Sequence, residues 1–489
     1  MISDCNTATI AEFVPATSSA WSQSLVRHVY RRLAYGASVG DLATGAVQSP
    51  AELIDALIND ALAHPNIPQP SWAFDTKPDY ENTHPEGNYN RQVTLYRNEW
   101  RLTVINSFYS SGLKARMTLF WHNHFVTELT DYRHPGYLYE YWDLLQTFSL
   151  GNFRDFVAAI GLTPAMLEYL NGRQNKRTSP NENYARELYE LFTLGVGNGY
   201  TQKDIEETAR ALTGYTRKTV AGGPITFANF QFDKDDKTIF GQTGNWGYDD
   251  VIRILFEERP EQIARFVCEK FYGYFISPEP QEAIVNALAQ TFLDNNFEIA
   301  PVLRQLFKSQ HFFDESIVGC LVKSPYDLTV GFGIESGLQG NNNRNAITSL
   351  IFQFTELLGQ TLFNPVDVAG WPGDKQWINS STISGRWIGL EQYLQFMWIH
   401  DEEQFRELGK NLSGDSSDPE VISRGIIDSF LTRPLQTETE YQTAATVFKW
   451  EVPENYFEDS LWNLNWESAP YQVYLLLVHI TQLPEFQLK

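Results

Sequence analysis

Along most of the chain the apolar positions recur every three or four residues, the spacing of helices that bury one face. From Trp21 to about Ala63 the series runs Leu25, Val29, Leu33, then Leu53, Ala56 and Leu57, with Gly36, Ala37 and Ser38 as a break. Residues 64–90 carry five prolines and read as a long irregular connection. A helical block follows from Gln92 to about Thr127. Its lower half, GLKARMTLFWHNHFV, sets Met117, Phe120, Trp121, His124 and Phe125 on one face. Helical spacing continues through 129–177, over 249–313, in a pair of helices after Pro325 and over 385–410. Between these blocks, residues 217–245 alternate apolar and polar (Ile225, Phe227, Phe230, Phe232), which predicts a small β-ribbon. The fold class expected is therefore mainly α: a large multi-helix body with a ribbon inserted near 217–245. Three regions are expected: an N-terminal arm and Pro-rich connection over 1–90, a helical core over 91–410, and a C-terminal region over 411–489 packed onto that core.

The most heavily punctuated stretch is 178–216. Ser179, Pro180 and Glu182 fit a capping box, Gly195 stops the helix, and Gly197 and Gly199 carry a turn. Thr201 with Asp204 then starts a second capped helix that ends near Gly214. Between the caps stand Glu182, Glu187, Glu190, Glu206 and Glu207 with Arg186 and Arg210. On the first of these helices the apolar arc is Tyr184, Ala185, Leu188, Leu191 and Phe192. Glu187 falls at its edge, where a carboxyl gains proton affinity unless it is paired. Glu190 falls opposite, where Arg186 four residues earlier makes an ordinary surface pair with it.

Imidazoles are the other chemical signal. His122 and His124 lie about 200° apart on a helix, so His-Asn-His chelates one ion only if the helix ends there or the backbone is extended. Glu128, four residues after His124, is a candidate partner if the helix continues; a core histidine with a single hydrogen-bond partner is the commoner arrangement. Asp233, Asp235 and Asp236 offer oxygen ligands for a hard cation, at a spacing that matches no calcium loop and reads more simply as a solvated turn. The loop LFNPVDVAGWPGDKQWINSS, with Trp371, has the composition of a rigid pocket wall.

A formal charge of −23 argues against nucleic acid and anionic membrane surfaces, because phosphate binding needs clustered Lys and Arg. An apolar content of 43% is ample for a core. Cys5, Cys268 and Cys320 are too scattered for a disulfide framework, and the last two read as buried free thiols. No apolar run approaches the ~20 residues of a membrane span. Residues 1–20 read as a loose arm without the basic-then-apolar pattern of a secretory signal, so the expected location is cytoplasmic, with export open.

Several stretches together resemble one family. RRLAYGAS (31–38), MTLFWHNHFVT (117–127), GNFRDFVAAIGLTPAMLEYLNG (151–172), NENYARELYELFTLGVGNGYTQKDI (181–205), ARALTGYT (209–216), KTIFG (237–241), KSPYD (323–327), LGQTLFNPVDVAGWPG (358–373) and LPEFQ (483–487) are similar to the bacterial family called domain of unknown function 1800. The resemblance implies a mostly helical protein, often exported and encoded beside an alkaline-phosphatase-like companion family, a candidate protein partner. Its recurrent polar positions fall on His122, Asn123, His124, Asn181, Glu182, Asn183, Arg186, Glu187, Glu190 and Asp233. The chain departs from the pattern before KTIFG, where the family's His-Asp is Phe232 and Asp233 here.

Two functions are expected from these residues. The first is an enzyme acting on a saccharide-like or other small polar substrate where the FWHNHF helix meets the helix after Ser179. In it, His124, Glu187, Glu190 and Asp233 are catalytic, and His122, His124 and Glu187 hold one divalent metal. Asn123, Asn183, Arg186 and Trp371 contact the substrate. The second is a non-catalytic helical assembly or carbohydrate-binding partner in which the polar cluster is a brace.

Overall fold

The computed structural model describes residues 9–17 and 21–489, the side chain of Asn341 excepted. Cys5 and most of the expected N-terminal arm lie outside the described residues. The backbone is 61% helical, with 24 helices and two small two-stranded sheets among the described residues. The mainly α reading holds, and no helix is long and apolar enough to cross a membrane among those residues.

Local chemistry sets many helix starts. The expected break at Gly36–Ser38 separates Gln23–Leu33 from Val39–Ala46, and Pro50–Ala63 follows. Ser38 with Asp41 and Ser49 with Glu52 each form a reciprocal capping box, satisfying N–H groups that the first helical turn leaves open. Residues 64–90 are mostly irregular, with one short helix, Lys77–Thr83. Trp72 and Tyr80 pack inward from this connection, while Phe74 stays exposed. The expected single ribbon is two: Arg217–Lys218 pairs with Ile225–Thr226, and Lys237–Ile239 with Gln242–Gly244. The helix expected over 385–410 is divided into Ser380–His400 and Glu403–Ser413.

Buried apolar side chains from Val26 to Phe486 form one connected cluster. The last residues close it: Lys323 N–H donates to the Gln487 carbonyl and Lys489 N–H to the Leu321 carbonyl, each at 2.8 Å. Inside lies a charged network that sequence patterning did not flag. Arg31 forks onto Glu335 at 2.5 and 2.7 Å. Arg116 pairs with Asp327, whose other oxygen accepts from Lys489 at 2.5 Å and from the Ser324 hydroxyl at 2.8 Å. Burial raises the Asp327 carboxyl, but Arg116 and Lys489 outweigh it and hold it below the ordinary carboxylate range. Such a pair adds little over an apolar core of the same shape, yet breaking it strands a charge.

Candidate functional site

The helix Gly112–His124 is buried along almost its whole length and ends without a glycine or proline. Tertiary contacts terminate it. The Phe125 carbonyl accepts from the Tyr141 hydroxyl at 2.7 Å, and four residues later Leu129 N–H donates to the Phe363 carbonyl at 2.9 Å. The expected alignment of His124 with Glu128 is therefore lost, and Glu128 instead accepts from the Tyr169 hydroxyl at 3.0 Å.

Around this end, three consecutive side chains reach three different elements. His122 is fully buried: Nε2 accepts the Phe363 N–H at 3.2 Å, which leaves Nδ1 to donate to the Tyr141 hydroxyl at 2.9 Å. With both nitrogens used, burial drives its pKa to about 3. Asn123 clamps the main chain of the aromatic loop, accepting the Trp371 N–H at 2.6 Å and donating to its carbonyl at 3.5 Å. Close approach requires Gly370, whose φ is +93° and where a Cβ would lie 2.6 Å from the Asn123 carbonyl oxygen. His124 donates from Nε2 to the Phe192 carbonyl at 2.9 Å. Burial and the nearby Lys270 charge push its pKa to about 3, although the Phe192 bond works the other way.

The partner stretch departs from its expected start. The helix begins at Asn183, not after Ser179, which instead bridges to Lys176. The Asn175 and Asn181 side chains order the approach by accepting the N–H groups of Asn181 and Asn183, each at 2.9 Å. After Glu187 the helix widens into a π-helix, Leu188–Thr193, closed by Leu194 and Gly195 N–H groups on the Tyr189 carbonyl. Phe192 presents its carbonyl in that last turn, where a cationic or donor side chain is the usual C-terminal partner. His124 supplies it. The second helix starts as expected, with Thr201 and Asp204 in a capping box.

The acids of this stretch are braces. Arg186 spans Glu182 at 3.0 Å, Glu190 at 3.2 Å and Gln202 at 3.0 Å, all on the surface side. Glu187 is half-buried and makes no hydrogen bond or ion pair among the described residues. Burial, then Glu190, raises its pKa, with Arg186 opposing. Asp233 is taken by Arg210 at 2.8 and 3.3 Å, and Arg210 also holds Glu207 at 2.6 Å. Burial raises the Asp233 carboxyl and the Arg210 contacts outweigh it. The Phe232 ring, where the resemblance expects histidine, lies 4.5 Å from the Lys237 ammonium.

His124 and Trp371 do meet in a cleft, of about 390 Å³, but Glu187, Glu190, Asp233, Asn183 and Arg186 do not line it. Its second wall is one stripe of the helix Pro260–Phe275: Phe266, Glu269, Lys270, Gly273 and Tyr274, spaced three and four apart. Through Asn123, Gly273, Tyr274, Trp371 and Gly373 it continues into a second pocket of about 90 Å³, reaching Gln360, Trp377 and Lys489. The signal for this wall was a single lysine within an otherwise apolar stripe, which periodicity reads as core.

Over residues 28–488 the chain matches the family described as protein of unknown function (DUF1800). It belongs to that family. No curated protein and no solved structure matches it.

In this DUF1800 chain the residues expected to hold a divalent metal do not fit one. No three His, Cys, Asp or Glu side chains converge as a metal site among the described residues. His122 has spent both nitrogens, His124 has one left, and Glu187 is absent from the cleft that His124 lines. His-Asn-His is a staple between a helix end and three neighbours.

Proposed function

We propose that this protein is a non-catalytic helical scaffold that binds a saccharide-like ligand in the cleft between His124, the Phe266–Tyr274 stripe and the Trp371 loop. One observation carries the reading: the cleft combines aromatic walls with polar groups that internal bonding leaves unspent, while the acids expected to do chemistry lie elsewhere. Sugars present apolar ring faces and hydroxyl edges together, so such sites pair aromatic surface with a few fixed polar atoms. Phe266 and Tyr274 supply partly exposed ring surface, and His124 keeps Nδ1 without a protein partner among the described residues. A single half-buried carboxyl, Glu269, lines the cleft, and it is paired with Arg265 at 3.0 Å. Glycosidic cleavage needs two carboxyls facing each other across the bond, and none stands opposite Glu269 in the cleft lining.

Isothermal titration against a panel of oligosaccharides tests this, with Ala369→Trp as the blocking variant. Ala369 is exposed at the cleft rim, so the substitution fills the site without entering the core. The expected result is binding by the wild type, loss of binding by Ala369→Trp at unchanged melting temperature, and no release of reducing ends. Absence of binding across the panel, unimpaired binding by the variant, or turnover of a bound sugar would each overturn the proposal.

A further inference from the structure

The same cleft carries a charge preference, an inference that rests on the saccharide reading. Lys270 sits at the mouth as the one lining cation of this cleft, and no ion pair is assigned to it among the described residues. Its ammonium stands 5.3 Å from the Phe266 ring centroid, a contact that leaves its donors free. The neighbouring carboxyl does not neutralise it, because Glu269 is held by Arg265 on the helix side at 3.0 Å. In a chain of formal charge −23, an unpaired lysine in a concave aromatic site stands out.

His124 fixes the second requirement. Its Nε2 proton is committed to the Phe192 carbonyl, so Nδ1 is the lone-pair nitrogen of a neutral ring. Among the described residues no protein group donates to it, and the ring edge lines the cleft. An acceptor of that kind calls for a hydroxyl donor on the ligand. The two groups belong to one locus: the Lys270 charge is among the influences on the His124 ring. Aromatic surface, a fixed acceptor and an unpaired cation ask for a hydroxylated ring that also bears an anion.

We propose that the cleft takes an acidic saccharide of the uronic-acid class, its carboxylate on the Lys270 ammonium and one hydroxyl donating to His124 Nδ1. Neutral sugars then bind only through the aromatic wall and the imidazole.

The test compares trigalacturonate with its fully methyl-esterified form by isothermal titration, on the wild type, Lys270→Gln and Ala369→Trp. A charge-assisted contact of this kind corresponds to roughly tenfold or more in affinity. The expected result is that the acid binds at least about tenfold more tightly than the ester and that added salt narrows the gap. Lys270→Gln should erase the preference, leaving the ester's affinity and the melting temperature unchanged. Equal binding of acid and ester by the wild type, with both blocked by Ala369→Trp, overturns the carboxylate assignment and leaves the saccharide reading standing. A preference that survives in Lys270→Gln also overturns the assignment. Failure of both probes and of the neutral panel overturns the two together.

Discussion

The His124 imidazole closes the last turn of a π-helix by donating to the Phe192 carbonyl at 2.9 Å, 68 residues further along the chain. The two stretches that carry the strongest family resemblance are thus joined by a capping bond rather than by shared chemistry on a substrate. Neighbouring Asn123 and His122 extend the same logic to the Trp371 and Phe363 main chain.

Removing the imidazole should therefore act on stability. His124→Ala leaves a carbonyl open at a buried helix end and deletes an aromatic packed against Phe125 and Trp121. The expected loss is about 2–4 kcal/mol in urea unfolding. An unfolding midpoint equal to that of the wild type would show that the cap contributes nothing.

Acid should weaken the fold through the same histidines. Both have folded-state values near 3 against about 6.5 in the unfolded chain, so between those limits the unfolded state binds protons that the native state refuses. Their contribution is complete above about pH 6.5 and falls away as pH drops toward 3. His122→Gln, which keeps an acceptor for the Phe363 N–H, should flatten the stability-against-pH slope between about pH 4 and 6 by roughly 1.4 kcal/mol per unit. Urea melts across that range measure it, and a slope identical to the wild type would mean that His122 protonates freely in the native state.

Asp327 is expected to be the costliest single polar change. Asp327→Asn strips Arg116 and Lys489 of their shared counter-charge inside the core, a loss of about 3–5 kcal/mol. Lys489→Met should cost less, because Arg116 still faces Asp327 in that variant. Combining the two should give less than the sum, since they remove one network. Additive losses would place the residues in separate environments.

The surface acids make the opposite prediction. Arg186→Gln breaks partly exposed pairs with Glu182 and Glu190 and should cost under about 1 kcal/mol. Glu187→Gln removes a carboxyl that burial and Glu190 disfavour, so stability should stay within about 0.5 kcal/mol of the wild type or rise. Both should bind cleft ligands unchanged. A binding defect in either variant would move the site toward the 181–190 helix.

Periodicity, caps and turn glycines determined the helical class, the breaks at Gly36–Ser38 and Gly195–Gly199, and the Thr201–Asp204 start, because each depends on neighbours within a few residues. The Arg186–Glu190 pair was legible for the same reason. Tertiary structure decided the rest. Nothing near His124 in sequence says that its helix stops there, or that its carbonyl partner is Phe192. Composition could nominate Glu187 for a pocket, but only packing could set Lys270 and Tyr274 there instead, since one helical stripe looks the same whether it faces core or cleft. Local interactions are written along the chain. The pairing of Asp327 with Arg116 and Lys489 depends on which surfaces meet, and that is fixed only when the whole chain buries its apolar faces together.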